Sequence, residues 1–314
     1  MTARLAQIMF DTFGLSEENF DRLVTRSPHS YKIYTIPKKS GGVRTIAQPA
    51  KEIKFLQRWL IENVFSKLPI HDCASAYKTG ASIKSNANAH KENEYISKFD
   101  FENFFPSIKH SDLTKHFKNH LEKNIHPDDI KTVTRLCCIR PKGGGVLCLS
   151  IGAPSSPILS NSIMHEFDTQ VNNWCKTKKI TYTRYADDMT FSTNTKNASA
   201  EIELKIQQFT ENISYPSLKL NSNKTIHLSK KFQRRITGVI INNDGQLSIG
   251  RDRKRLISSL IHKFTLGKLQ NQDIFQLQGL IGFSKDIEPD FIKSMKKKYG
   301  SQVVDGILSI RIID

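Results

Sequence analysis

The sequence is poor in cysteine, lacks any long apolar run and is short of acidic residues. Its five cysteines are Cys73, Cys137, Cys138, Cys148 and Cys175. The number is odd, the spacings are irregular and no CxxC occurs, which counts against a disulfide framework and against a zinc site. They read as reduced core or surface thiols, and the expected compartment is the cytoplasm. No apolar run reaches the ~18 residues that a membrane span needs. The start, MTARLAQIMFDTFG, carries Arg4 and Asp11 and lacks the apolar core of a signal peptide. Asp plus Glu number 30 against 47 Lys plus Arg, so the formal charge is +17 and the pI is near 9.6. Such a balance points to a polyanionic partner, with nucleic acid ahead of an anionic membrane.

The 314 residues fit two domains or one large multi-part domain. Internal repeats and long low-complexity linkers are missing. Lys51 to Phe65 reads as a helix with Ile53, Leu56, Leu60 and Val64 on one face. Tyr95 to Phe105 starts as a strand, and RPKGGGVL, Arg140 to Leu147, is a flexible hairpin or loop. From Ser156 the spacing predicts one helix carrying Ile163, Phe167, Val171 and Trp174 on a stripe. Another helix carries Ile202, Ile206, Phe209 and Ile213. RITGVIIN reads as one strand, with a turn at NNDG. Beyond it helices are predicted for Arg251–Leu266, Ile274–Phe283 and Pro289–Tyr299. Residues 230–314 hold sixteen Lys/Arg and eight Asp/Glu, about half of the total excess. Arg251, Arg253, Lys254 and Arg255 fall close together there, which favours a phosphate-binding face over a merely solvated one.

The stretch TYTRYADDMTFS sets Asp187 and Asp188 side by side between two β-rich runs. A bare pair of aspartates is most often a solvated turn. Here the flanks are apolar and β-branched, so the turn belongs to a packed sheet. A third carboxylate, Asp100, ends another predicted strand after YISKF. Three carboxylates from neighbouring strands form a cage of hard oxygens suited to Mg²⁺. Two such ions, about 3.5–4 Å apart, can activate an attacking hydroxyl and stabilise a leaving group. They would also relieve the repulsion that otherwise raises the pKa of adjacent carboxylates.

YADD between two strands, preceded by FDFENFFPS, resembles the palm of a reverse transcriptase. GGVRTIAQP (Gly41 to Pro49) and SAYKTGASIKSNANAH (Ser75 to His90) look like its fingers segments. LSIGAPSSPILSN (Leu149 to Asn161) is similar to the motif that supports template and incoming nucleotide, and LKLNSNKT (Leu218 to Thr225) to the palm motif that follows. NANAH (Asn86 to His90) matches the NAxxH pattern of bacterial retron reverse transcriptases. ITG (Ile236 to Gly238) nearly matches their VTG. The short segment after it reads as a thumb, without the maturase and endonuclease parts of group II intron proteins. The resemblance implies an α+β right-hand polymerase fold, with fingers, an antiparallel-sheet palm and a mostly helical thumb. Residues 1–94 would hold N-terminal helices and fingers with part of the palm. Residues 95–229 would hold the palm with its catalytic motifs and inserted fingers elements, and 230–314 a basic, RNA-binding thumb.

By resemblance, Asp100, Asp187 and Asp188 hold two Mg²⁺ ions, with Mn²⁺ as a substitute and the Phe101 carbonyl as a further ligand. Phe105, five residues after Asp100, takes the position whose ring excludes a 2′-OH and so implies DNA synthesis. At least two of Phe99, Phe101, Phe104 and Phe105 are nevertheless expected in the core. Gly152 and Ala153 leave space for a base pair, and Pro154 and Pro157 stiffen the entry to a helix. Ser150-Ile151 departs from the Pro-Gln of many members, which removes a polar contact from that place. Arg44 would grip the triphosphate, with Lys38 and Lys39 nearby, and Lys224 would stand near the leaving pyrophosphate as a proton donor. Asn86 and His90 belong to a segment tied to the enzyme's own RNA, the plainer reading being a capped helix start. His116 and His120 are four apart without a completing ligand and read as a solvated basic face.

The function so implied is retron-type RNA-directed DNA polymerisation. The enzyme would copy part of a cognate structured noncoding RNA into DNA joined to that RNA, priming from a guanosine 2′-OH. The partners would be that RNA, its RNA–DNA product, dNTPs and a separately encoded effector protein in anti-phage defence, with no membrane. The alternatives are a group II-intron-like, diversity-generating or abortive-infection reverse transcriptase, and an inactive palm kept as an RNA-binding scaffold.

Overall fold

Tyr31–Pro37 and Val43–Pro49 are rich in β-branched and aromatic residues, and in the computed structural model the two runs pair as an antiparallel hairpin. Strands β1 (Tyr31–Pro37) and β2 (Val43–Pro49) pair from Tyr31 opposite Pro49 to Pro37 opposite Val43. The structure describes residues 4–38, 41–121 and 125–311; Lys39 lies outside the described residues. The described chain divides into two units. The first comprises residues 1–80, 97–191 and 197–226, and the second 81–96, 192–196 and 227–314.

In the first unit the helix Lys51–Asn63 buries Ile53, Leu56 and Leu60, and Val64 follows just past its end. Each sits three or four residues from the next, the spacing that lines one helix face. That face meets Phe65, Phe117 and Leu136 in a common core. The helix Glu17–Arg26 starts at Ser16, whose hydroxyl accepts from the Asn19 amide at 3.3 Å, and Glu17 and Glu18 favour its positive end. The helix Leu5–Phe13 has no such cap of its own. The Asp129 carboxylate takes that role from across the unit, accepting from the Leu5 and Ala6 amides at 2.7 and 3.2 Å.

A four-stranded sheet carries the candidate site. Its strands are β3 (Tyr95–Asp100), β4 (Thr181–Tyr185), β5 (Asp188–Thr193) and β6 (Ile226–Leu228), in the order β4-β5-β3-β6. Two residues, Ala186 and Asp187, join β4 to β5, a connection short enough only for an antiparallel hairpin. The helix expected from Ser156 is two helices, Ser156–Ile163 and His165–Thr177, with Met164 between them. The offset moves the buried stripe from Val171 to Cys175, leaving Trp174 only half-buried. The two segments of glycine-rich loop around Gly143–Gly145 are drawn together where Ile139 and Cys148 exchange both backbone hydrogen bonds.

The second unit has its own core, formed by Ile236, Val239, Ile257, Ile261, Leu277, Ile281, Val304 and Ile307. RITGVIIN is a hairpin rather than one strand: β7 (Arg234–Ile236) turns at Thr237-Gly238 into β8 (Val239–Ile241). Both turn residues have positive φ, 44° and 86°, the backbone twist that two-residue hairpins require. The turn at Asn242–Gly245 then leads to β9 (Leu247–Ser248), giving the order β7-β8-β9. Four helices follow, Arg251–Thr265, Asn271–Ile287, Pro289–Tyr299 and Ser301–Ser309. The short helix Ile83–Asn88 is closed at its start by a reciprocal pair of bonds between Ser82 and Ser85. Among the described residues no helix is long and apolar enough to cross a membrane.

Candidate active site

β3 and β5 are neighbours, so the end of one and the start of the other bring Asp100 beside the Asp187-Asp188 turn. The Phe101 amide donates to the Asp187 carbonyl at 3.3 Å. On the other side, the Asn221 amide donates to the Asp100 carbonyl at 2.8 Å and the Glu102 amide to the Lys219 carbonyl at 2.8 Å. The LKLNSNKT segment therefore borders the carboxylates as an added strip of backbone. Asp100 is buried, and Asp187 and Asp188 are half-buried.

These groups strain against one another electrostatically. Burial, and then the Asp100 charge, push the Asp187 carboxyl above its ordinary range. Asp188 is pushed up to about 6, first by burial and then by Asp187, and it is hydrogen-bonded to the Asp100 carboxyl. Lys98 opposes that shift on Asp188, and Lys224 and Arg44 oppose it on Asp187. The Lys224 Nζ lies 2.7 Å from Asp100 Oδ1. Burial disfavours its ammonium, but the bond to Asp100 and the charges of Asp187 and Asp188 outweigh burial, and its pKa is raised. Among the described residues no three His, Cys, Asp or Glu side chains already stand as a metal cage. The donor set nonetheless suits a hard divalent cation: carboxylate oxygens that repel one another until positive charge is supplied.

Phe99, Phe101 and Phe104 are core residues, each at most 3% exposed. Phe105 differs: it is half-buried, packs edge-on against Phe104 at 5.4 Å and lines an open cavity of about 300 Å³. Gln48, Tyr77, Ile151, Gly152 and Ala153 share that cavity. The reason for Gly152 is corrected by the structure. Its φ is +117°, and a Cβ there would stand 3.0 Å from Ile46 Cγ2 and 3.1 Å from the Ala47 carbonyl oxygen. The close approach that demands glycine is to β2, and the Ala47 amide donates to the Ile151 carbonyl at 2.8 Å in the same place. Ala153 is buried, and Pro157 stands in the first turn of the helix Ser156–Ile163. Arg44 and Lys38 are exposed near the end of the β1–β2 hairpin; the Arg44 charge is felt at Asp187. Tyr77, in left-handed backbone with φ 56°, is a lining residue that the sequence did not single out; its one signal was an aromatic three residues before Gly80.

Asn86 and His90 are 2% and 0% exposed, so neither side chain presents a face to RNA. A direct contact is replaced by a fastening role within the second unit. The His90 Nδ1 lies 2.7 Å from the Ser192 hydroxyl, and the Asn86 amide donates to Thr237 Oγ1 at 3.4 Å. The helix cap in this segment is Ser82. Arg251 and Arg255 are exposed. Arg253 donates to the Gly238 carbonyl and lies 4.9 Å from the Phe283 ring, and Lys254 is paired with Glu288.

His116 is not on a solvated face. It is 2% exposed, with Nε2 2.7 Å from the Ser162 hydroxyl and its ring 4.5 Å from the exposed His120. Burial, reinforced by His120 and His165, pushes its pKa down to about 3, and burial alone does the same to His90. An unfolded chain takes up a proton on each ring below about pH 6.5. The folded chain refuses it down to about 3, so their contribution to stability is complete above pH 6.5 and is lost as pH falls. His116→Gln, which keeps a polar group near the Nε2 position, removes one proton from that linkage. Its stability in urea should fall less steeply than wild type from pH 6.5 to 4.5, by about 1.4 kcal/mol per pH unit. Equal slopes would show that His116 titrates normally.

Residues 36–241 match the family model described as Reverse transcriptase (RNA-dependent DNA polymerase). The chain is 41% identical over 293 residues to the Retron Ec83 reverse transcriptase of Escherichia coli, covering 92% of this chain and 93% of that protein. It is 34% identical over 306 residues to the Retron Ec73 reverse transcriptase of Escherichia coli, covering 94% and 95%. Among solved structures, the apo telomerase of Candida tropicalis aligns with a TM-score of 0.50 at 13% identity, over 87% of this chain and 58% of that one, a likeness of fold alone.

Proposed function

The chain belongs to the reverse transcriptase family, as a retron-type RNA-directed DNA polymerase with an α+β right-hand fold, and from that premise we propose that it copies part of a cognate structured noncoding RNA into DNA joined to that RNA. The observation that carries the assignment of the site is the meeting of Asp100 with Asp187 and Asp188 at the ends of adjacent strands; Phe105, five residues after Asp100, lines an open cavity. Reverse transcriptases generally use divalent metal ions; Mg²⁺ is the proposed ion, with Mn²⁺ as a substitute. Asp100, Asp187, Asp188 and the Phe101 carbonyl are the groups that would hold the ions. When bound, the ions supply the positive charge that activates the primer hydroxyl and steadies the departing pyrophosphate.

The remaining work is positioning. Arg44 offers a planar fork for phosphate oxygens, and Lys38 a second positive charge on the same hairpin. Lys224 stands where it can hand a proton to a departing oxyanion once it leaves Asp100. Phe105 closes the cavity against a 2′-OH, and Gly152 and Ala153, held against β2, line the same cavity. We assign residues 1–94 to N-terminal helices and fingers with part of the palm, 95–229 to the palm with inserted fingers elements, and 230–314 to an RNA-binding thumb whose exposed cations include Arg251 and Arg255. Priming from a guanosine 2′-OH, a cytoplasmic setting and anti-phage defence with a separate effector complete the proposal. The five cysteines, all free and buried, fit that setting.

The test is to purify the protein from cells carrying its native locus and treat the bound nucleic acid with RNase. A DNA that survives with a short RNA stub attached is expected. Protein that comes free of nucleic acid would overturn the retron-specific part of the proposal.

A further inference from the structure

Arg184 is a charge in the middle of a buried strand, and neither metal nor nucleotide binding uses it. Both Arg184 and Asp168, on the helix His165–Thr177, have side chains 0% exposed. The guanidinium grips the carboxylate as a fork, Nε to Oδ1 at 2.9 Å and Nη2 to Oδ2 at 2.6 Å. The Tyr182 hydroxyl donates to the same Oδ1 at 2.8 Å. The Nη1 of Arg184 donates in two further directions, to Asn161 Oδ1 at 3.2 Å and to the Ala186 carbonyl at 3.0 Å. Asn161 is itself fixed, its amide donating to the Ala76 carbonyl at 2.7 Å.

Taking two charges out of water is costly, and an apolar pair of similar volume often serves stability as well. What the ion pair provides beyond packing is a donor held in one place. Its target is the peptide unit between Ala186 and Asp187. Ala186 has φ 57°, a left-handed conformation that a residue with a side chain keeps only when its surroundings enforce it. The orientation of that peptide decides where the Asp187 backbone leaves the turn.

We propose that Arg184 is a positioning residue: braced by Asp168 and Asn161, it clamps the Ala186 carbonyl and so aims the Asp187 carboxylate. This rests on the polymerase reading of Asp187. A purely structural network would instead tie β4 to its helices and leave chemistry at each folded site untouched.

Arg184→Lys keeps the charge but loses the fork, and Asn161→Ser removes only one brace. Each is purified with its bound nucleic acid, active sites are titrated, and single-turnover dNTP addition is measured across Mg²⁺ and dNTP concentrations. Thermal unfolding is followed in parallel. For Arg184→Lys the rate per active site should fall about 100-fold, the loss that a misplacement near 1 Å produces. Half-saturating Mg²⁺ should rise, with half-saturating dNTP unchanged. Asn161→Ser should move the same two quantities in the same direction by less, and it decides the matter if Arg184→Lys does not fold. Wild-type rate and Mg²⁺ dependence per site in the folded variants, with only a lower melting temperature, would overturn the proposal. An inactive wild type in this assay would overturn the polymerase reading itself.

Discussion

Asp187→Asn will abolish DNA synthesis while leaving the metal-free protein at least as stable as wild type. The charge stabilisation that a bound metal gives a phosphoryl transfer is worth several kcal/mol, so the loss in rate should be about 10³-fold or more. The stability half follows from the carboxyl's raised pKa. Burial and Asp100 make its ionised form unfavourable in the folded state. A raised acid favours folding when protonated, and that advantage is lost as pH rises through the folded pKa. At pH 7.5 the ionised Asp187 is thus a burden, which an uncharged amide of the same shape removes. Asp188, held up to about 6, should behave alike. Incorporation assays and melting curves in EDTA check the two halves independently. An Asp187→Asn enzyme that polymerises at wild-type rate with Mg²⁺ would refute the metal assignment, and one that is inactive because it is unfolded would refute the electrostatic account.

Phe105→Ala should convert a DNA polymerase into one that also accepts ribonucleotides. Phe105 is the member of its aromatic run that faces open space, while Phe99, Phe101 and Phe104 are committed to the core. Exclusion of a hydroxyl by a ring is steric, so removing the ring should affect rNTPs far more than dNTPs. The ratio of dNTP to rNTP incorporation efficiency should drop by at least about 10-fold, roughly 1.4 kcal/mol of discrimination. Because the ring also packs edge-on against Phe104, a modest loss of stability should accompany the change. Unchanged sugar selectivity would remove Phe105 from the gate.

The elements that mark the site were legible because their signals are local. A strand pattern ending in Asp100, and two β-rich runs around Asp187-Asp188, fix three carboxylates to a sheet before any tertiary contact is known. Other features escaped because their causes lie elsewhere in the chain. Gly152 looks like space left for a ligand until Ile46 and Ala47 are found against it. His90 and His116 are polar by type, and each buried ring meets a hydroxyl far along the chain, Ser192 or Ser162, 102 or 46 residues away. The break at Met164 leaves the apolar spacing nearly intact, so periodicity alone could not reveal it. Thr237 is β-branched and rarely adopts positive φ, which hid the hairpin in RITGVIIN. Arg184 had one visible signal, a lone cation among the Thr and Tyr residues of a strand, but its meaning required Asp168 and Asn161 to be seen around it.

The basic helix that begins at Arg251 carries a lesson about counting. Arg253 is bound to the Gly238 carbonyl and laid over Phe283, and Lys254 is held by Glu288. Those two cations add to the net charge but are already occupied in holding the unit together. For the proposed RNA complex, the slope of affinity against salt reports phosphates actually neutralised rather than lysines and arginines encoded. Ionic strength should therefore weaken the complex less steeply than a charge of +17 suggests, and what survives at high salt would be the share of recognition that depends on RNA shape.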